Sequence, residues 1–183
     1  MKNKMFPVDT VESEDIEITV RQAEETDARA IIGLSRHLGK ETDYLSFGKE
    51  GLLLTVAEER AIINSYQAAP TSILLLTETD GQIIGLSSVK VLDQGKQAHV
   101  AEIGVSLIEE YWGYGIGHMM LTALIEFAQA VDIKVLTLEV ITENQRAIKL
   151  YQKNHFDIVG RLTKRVKSAY GYYDTYIMER ILD

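Results

Sequence analysis

Three glycines at alternate positions stand directly before an apolar segment: Gly113, Gly115 and Gly117. The residues that follow have the apolar pattern of a helix. The first amides of a helix have no partner inside the helix and lie at the positive end of its dipole. Glycine lets an anion approach such amides because no Cβ stands in the way. The spacing therefore indicates a phosphate-binding turn, unless the glycines only serve a tight turn between a strand and a helix.

Two common nucleotide-binding patterns fit this segment poorly. A P-loop requires Gly-x-x-x-x-Gly-Lys-Ser/Thr, and the chain has neither that spacing nor the Lys-Ser/Thr pair. A dinucleotide fingerprint requires a third glycine where this chain has His118, although Glu139 follows at a separation suited to a ribose-binding carboxylate. The P-loop is excluded, and an NAD-dependent oxidoreductase stays open as an alternative.

A second pattern, Asn-x-x-Ala-x-x-x-Tyr followed by Phe, lies downstream and comprises Asn144, Ala147, Tyr151 and Phe156. The two patterns together resemble the GNAT superfamily of acyl-CoA-dependent N-acetyltransferases, whose pyrophosphate loop reads Gln/Arg-x-x-Gly-x-Gly/Ala. The resemblance covers residues 16–181. It implies acetyl-CoA as the cofactor and transfer of an acetyl group to a primary amine of a small molecule or peptide by direct attack in a ternary complex.

The resemblance also assigns residues to the cofactor. The strand before the glycines is expected to pair with the pantetheine arm, and the loop to bind the pyrophosphate. The asparagine of the second pattern is a good helix cap in its own right. The predicted cofactor-binding residues are Val105, Leu107, Trp112, Gly113, Tyr114, Gly115, Ile116, Gly117, Asn144, Ala147 and Lys153.

Two positions depart from the family pattern. Trp112 stands where Arg or Gln is usual, which removes a charged contact to the cofactor but leaves the backbone amides. His155 stands where glycine is usual after the second helix, at a place where positive φ is common. We expect backbone strain at His155, or a helix end shifted to Asn154.

Two residues are predicted to be catalytic. The resemblance implies that Tyr151 protonates the coenzyme A thiolate and that Glu102 accepts a proton from the amine. From the residues alone, Tyr151 also suits a core-facing aromatic beside Leu150, and Glu102 also suits a surface carboxylate. Alternation places Glu102 opposite Ile103 on its strand without showing which face meets the cleft. Gly104 suggests a bulge or a close approach, and a splayed strand there would free backbone groups for the cofactor.

The acceptor is predicted to bind to the loop that follows the first helix. Carboxylates and aromatic rings together suit a cationic amine, and the terminal hairpin adds further tyrosines. The alternative is a solvated acidic loop that its aromatic residues anchor to the core. The predicted substrate-binding residues are Glu41, Asp43, Tyr44 and Phe47.

The hydrophobic patterns predict an ordered series of elements for residues 16–183. Thr26 or Asp27 is expected to cap the first helix, and Thr55 with Glu58 forms a capping box for the second. Asp80-Gly81 indicates a hairpin between two apolar strands. The order β, α, α, β, β, β, α, β, α, β, β predicts an α/β (α+β) fold with one mixed, mostly antiparallel sheet flanked by helices, similar to the GNAT fold.

Composition limits the remaining possibilities. The chain has 183 residues, no cysteine, four histidines without ligand spacing and a net charge of −8. We therefore expect one domain after an acidic tail at residues 1–15, no metal, and no general affinity for nucleic acid or membranes. The absence of a signal sequence and of long apolar runs predicts a cytoplasmic protein, and exposed sheet edges suggest a homodimer. A non-catalytic acyl-CoA-binding or sensor module remains an alternative function.

Overall fold

The computed structural model describes residues 10–13, 16–92 and 95–182. Within these ranges the chain forms one sheet of eight strands, in the order β1-β2-β3-β4-β5-β6-β8-β7. Neighbouring strands are antiparallel except β5 and β6, which are parallel. This confirms the predicted mixed, mostly antiparallel sheet with flanking helices. The strands are β1 (Thr10–Ser13), β2 (Ile16–Gln22), β3 (Ile73–Thr79), β4 (Gln82–Val91), β5 (Val100–Leu107), β6 (Val135–Ile141), β7 (Asp157–Ser168) and β8 (Gly171–Ile181); the helices are α1 (Ala28–Glu41), α2 (Val56–Ala68), α3 (Ile116–Ala130) and α4 (Gln145–Lys153).

Strand β1 lies inside the segment predicted to be a tail. Its four residues pair with β2, from Thr10 opposite Thr19 to Ser13 opposite Ile16. Four residues are too few for a clear alternating pattern, and the pairing depends on the open edge that β2 presents in the folded sheet. The rest of the predicted tail lies outside the described residues.

Helices cover both faces of the sheet. In β3, Ile73 and Leu75 pack in the cluster that includes α3 and α4. Leu74 and Leu76, which alternate with them, pack against α1 and α2. A further cluster joins α1 to α3 and contains Ile116 at the start of α3. The alternation of β-strand side chains therefore separates an α1/α2 face from an α3/α4 face.

Local signals explain how several elements begin and end. Thr55 Oγ1 accepts from the Glu58 amide at 3.2 Å, and Glu58 Oε2 accepts from the Thr55 amide at 2.7 Å, which confirms the capping box. Asp80 and Gly81 have φ of 50° and 75° and join β3 to β4, which confirms the hairpin. Asp27, one of the two residues predicted to cap α1, is at the N-cap position but does not cap the helix with its side chain. Its carboxylate instead accepts from Arg21 and from the Glu24 amide.

The last turn of α1 passes directly under the loop that follows it. A Cβ on Gly39 would overlap the carbonyl oxygen of Gly48, whereas a Cβ on Gly33 would meet nothing within 4 Å. We expect Gly39→Ala to lower the free energy of unfolding by about 1 to 3 kcal/mol, because the loop must shift. Gly33→Ala should raise it by about 0.5 to 1 kcal/mol, because alanine favours a helix. Urea unfolding of both variants tests this, and equal effects would contradict the close approach.

Candidate active site

Strands β5 and β6 separate in the middle of the sheet. They pair only from Val100 with Val135 to Glu102 with Thr137. Beyond that point β5 continues to pair with β4 as far as Leu107, with no bulge at Gly104. The side of β5 that faces β6 is therefore open after Glu102. The sequence analysis predicted a bulge or a close backbone approach at Gly104 and related a splayed strand to it. The two strands separate, but β5 has no bulge at Gly104.

The glycine loop adjoins this opening. Gly113 and Gly115 have φ of 91° and 82°, which L side chains rarely adopt, and Gly115 directly precedes α3. A Cβ at either glycine would meet nothing within 4 Å. At Gly117 a Cβ would stand 3.3 Å from Leu150 Cδ2, so this glycine lets α3 pack against α4. The first amides of a helix are a common site for phosphate binding, and binding of the cofactor pyrophosphate at the start of α3 stays a prediction.

Trp112 links the loop to both neighbouring elements. Its indole Nε1 donates to the Leu107 carbonyl at 2.8 Å, at the end of β5. The guanidinium of Arg146, in the first turn of α4, lies 4.8 Å from the indole ring centroid. This cation–π contact brings a positive charge to the loop although position 112 has none. The sequence analysis missed Arg146, because nothing in the spacing shows that α4 lies beside Trp112.

Helix α4 presents Tyr151 to the interior. Asn144 Oδ1 accepts from the Ala147 amide at 3.2 Å, which confirms the predicted cap. The Tyr151 ring is 5.8 Å from that of Phe156, and burial raises the pKa of its phenol to about 12. Lys153 is exposed in the last turn. Contact of Asn144, Ala147 and Lys153 with a cofactor stays a prediction, as does the role of Tyr151.

His155 has φ of 62°, in the left-handed region that was expected for this position. We expect His155→Gly to raise the free energy of unfolding by about 0.5 to 1 kcal/mol, because glycine adopts this conformation without strain. His118→Gly, inside α3, should instead lower it by about 1 kcal/mol. Thermal or urea unfolding of the two variants measures the difference, and a destabilised His155→Gly protein would show that the backbone there is unstrained.

Glu102 is an exposed residue at the point where β5 leaves β6. Its neighbours Ala101 and Ile103 are buried against the α3/α4 face. Alternation therefore directs Glu102 to the α1/α2 face, as it does Gly104. Its place beside the opening is compatible with the predicted proton acceptor, and that role stays a prediction.

The four predicted acceptor-binding residues have different surroundings in the structure. Glu41 is already engaged, since its carboxylate accepts from the Glu109 amide at 3.0 Å and lies 2.9 Å from His37 Nε2. Phe47 packs against the core cluster between α1 and α3. Asp43 is exposed, and Tyr44 makes an edge contact with Tyr173 of the terminal hairpin at 6.2 Å. Glu41 and Phe47 thus anchor the loop, and substrate binding by the four residues stays a prediction.

Neither a metal centre nor a membrane span is found in the described part of the chain. No group of three or more His, Asp or Glu side chains within residues 10–13, 16–92 and 95–182 is arranged to hold a metal ion. None of the helices in those ranges is long and apolar enough to cross a membrane.

Comparison with known families gives the decisive observation. A model of the acetyltransferase (GNAT) family matches residues 44–156, a segment that contains β5, the glycine loop and α4. The chain belongs to the GNAT acetyltransferase family. This membership confirms the resemblance drawn from the two sequence patterns. Membership of this family replaces the alternative of an NAD-dependent oxidoreductase. Glu139, which that alternative assigned to a ribose, accepts a hydrogen bond from Thr175 Oγ1 at 3.1 Å.

Three individual proteins show how similar the chain is to known acetyltransferases in sequence or in fold. The GNAT acetyltransferase of Streptococcus pneumoniae has 31% identity and a TM-score of 0.86, covering 91% of this chain and 100% of that one. The protein yncA of Salmonella typhimurium, solved with its cofactor acetyl-CoA, has the same fold at 20% identity, with a TM-score of 0.79 over 91% of this chain and 94% of that chain. The L-amino acid N-acetyltransferase AaaT of Escherichia coli (strain K12) is 27% identical over 56% of this chain. That match spans 64% of AaaT.

Proposed function

We propose that this GNAT protein is an acetyl-CoA-dependent N-acetyltransferase that acts on a primary amine. The observation that carries the proposal is the open side of β5 beside a glycine loop that starts a helix. Positive φ at Gly113 and Gly115, open space above both, and the guanidinium of Arg146 nearby fit a long cofactor with a pyrophosphate group. The residues proposed to hold it are Val105, Leu107, Trp112, Gly113, Tyr114, Gly115, Ile116, Gly117, Asn144, Ala147 and Lys153.

The chemistry requires the ammonium nitrogen to lose two protons and the coenzyme A sulfur to gain one. Bound acetyl-CoA supplies the thioester, so that a C–N bond forms, a C–S bond breaks and coenzyme A leaves as a thiol. The acceptor ammonium must first lose one proton, and Glu102 is proposed to accept it, directly or through water. Tyr151 is proposed to protonate the departing sulfur, and the second proton, which the nitrogen loses as the amide forms, restores the phenol. Its pKa of about 12 keeps the phenol protonated at neutral pH, as a donor must be.

The acceptor is proposed to be a small molecule or a peptide amine that is cationic before it reacts. The name of the relative AaaT describes an enzyme for L-amino acids, which supports a small acceptor. In this chain Asp43 and Tyr44 remain available at the exposed part of the loop after α1. Cytoplasmic location and a homodimer stay predictions from the sequence.

Thermal stability with different ligands tests the cofactor assignment. A ligand at a hundred times its Kd adds about 2.7 kcal/mol to the free energy of unfolding. Acetyl-CoA and coenzyme A should therefore raise the melting temperature, while NAD and ATP should not. Gly115→Val serves as the control, because a β-branched residue does not tolerate a φ of 82° and should abolish the shift. Stabilisation by NAD or ATP alone would contradict the proposal.

A further inference from the structure

Four polar residues on the α1/α2 face form a cluster that the assigned chemistry uses only in part. They are Glu59 and Tyr66 of α2, Ser88 of β4 and Glu102 of β5, and we call them the α2 cluster. We propose that the α2 cluster binds a second cationic nitrogen of the acceptor, so that the preferred acceptors are amines with an additional ammonium group, such as diamines. This inference rests on the proposed function, because it assigns Glu102 to the amine that reacts.

Glu59 is the first reason to expect a cation. Its residue is 3% exposed, and its Oε2 has no hydrogen-bond partner among the described residues. Burial raises the pKa of the Glu59 carboxyl, because the charged form loses its hydration by water. A buried carboxylate is normally paired with a positive group, since an unpaired one is costly. A cationic ligand nearby would supply the compensation that the described part of the protein lacks.

The geometry of α2 directs this carboxylate and a tyrosine to the same surface. Glu59, Ile63 and Tyr66 recur at the spacing of one helix face. Ile63 is fully buried between the helices and the sheet, which fixes that face toward β3 and β4. Tyr66 packs against the same core cluster but remains half-buried, so part of its ring is open to solvent. A ligand can therefore reach the tyrosine while Glu59 stays inside.

The strands bring the other two members to Tyr66. Ser88 lies opposite Gly104 in the β4–β5 register, and a Cβ on Gly104 would stand 3.4 Å from Ser88 Oγ. Ser88 also hydrogen-bonds the Tyr66 phenol. Glu102 is two residues before Gly104 and so shares its face. Gly104 contributes no side chain to this face, and the exposed Lys90 of β4 lies opposite Glu102 in the register.

Both carboxylates act on the same phenol. Burial raises the pKa of Tyr66 most, the hydrogen bond with Ser88 lowers it, and the charges of Glu102 and Glu59 raise it further. The phenol therefore stays neutral, and two negative groups impose their field at its ring and hydroxyl. An ammonium held there gains attraction from both charges and from the aromatic face.

Glu102 and Glu59 have different proposed roles because Glu102 is exposed and Glu59 is buried. Glu102 is exposed beside the opening, where the thioester and the reacting amine are proposed to meet. Once Glu102 has accepted a proton from that amine, it no longer balances a second positive charge. The buried Glu59 retains that capacity, since it is separate from the reacting amine. An acceptor with a second ammonium is therefore favoured over one that carries a hydroxyl at the same place.

The test compares binding of diaminobutane and aminobutanol to the coenzyme A complex, which cannot turn over. Wild-type protein should bind diaminobutane about tenfold more tightly, and Glu59→Gln should abolish the preference. Tyr66→Phe, which keeps the ring but removes the hydroxyl, should reduce the preference and provides a second variant if Glu59→Gln does not fold. Glu126→Gln, at an exposed position of α3, should behave as wild type.

The outcomes separate this inference from the proposed function. Equal binding of the two ligands by wild-type protein, or a full preference in both Glu59→Gln and Tyr66→Phe, would overturn the inference. Coenzyme A should stabilise every variant equally, because none of the substituted residues lies at the glycine loop. If diaminobutane binds with the predicted preference but is never acetylated from acetyl-CoA, the α2 cluster stands and the proposed catalytic function fails.

Discussion

Glu102→Gln is expected to lower kcat about a hundredfold or more, with little change in the affinity for coenzyme A. Glutamine keeps the size of the side chain and its hydrogen-bonding oxygen but does not accept a proton. General bases contribute on the order of 10² to 10⁴ to the rate, which sets the expected size. Steady-state kinetics at saturating acetyl-CoA, together with calorimetric titration of coenzyme A, measure the two quantities separately.

The control for Glu102 is Glu126→Gln, which makes the same chemical change on the exposed side of α3. It should leave kcat within twofold of wild type, or about 0.4 kcal/mol in the barrier. An unchanged kcat in Glu102→Gln would show that Glu102 is only a surface carboxylate, the alternative that the sequence left open.

Tyr151→Phe is expected to lower kcat about a hundredfold while the protein still binds coenzyme A. The phenol is in the interior with its ring against Phe156, and phenylalanine fills that space without the hydroxyl. The variant should therefore lose the hydrogen bond to the developing thiolate and keep its packing. Single-turnover kinetics and coenzyme A titration would show the loss in rate without a loss in binding.

The pH dependence gives Tyr151 a second test. The neutral phenol is the donor, so its contribution is present below its pKa and disappears as the pH rises through about 12. Ionisation of Tyr151 should therefore not lower the kcat of the wild-type protein between pH 7 and about 10. Tyr170→Phe, which changes a tyrosine that is 91% exposed, serves as the control. If Tyr151→Phe retains wild-type kcat, the tyrosine is only a core aromatic.

Local patterns predicted the parts of the fold that depend on neighbouring residues. The capping box at Thr55 and the hairpin at Asp80 depend on contacts within a few residues, and both are present. Positive φ at His155 followed from its place after a helix and is also present. The two motifs around Gly115 and Tyr151 predicted the family, because their types and order are specific even where a single glycine pattern is not.

Contacts between distant segments were not predictable in the same way. Strand β1 needs the free edge of β2, and Arg146 reaches Trp112 only because α4 packs beside the loop. The carboxylate of Glu41 accepts from the Glu109 amide, 68 positions away, a contact that the sequence did not predict. A signal for Glu59 did exist in the sequence, since it shares one face of α2 with Ile63, but the residue type of a glutamate does not reveal its burial.

The central claim is that this chain transfers acetyl groups to cationic amines, and product analysis tests it most directly. Purified protein with acetyl-CoA and a panel of amino acids, diamines and peptides would be analysed by mass spectrometry, with Glu102→Gln and Tyr151→Phe alongside. The account predicts amines that gain one acetyl group with wild-type protein, at least tenfold less product with either variant, and thiol release equal to product. Tight binding of acetyl-CoA without acetylation of any amine would contradict it and favour the non-catalytic acyl-CoA-binding module.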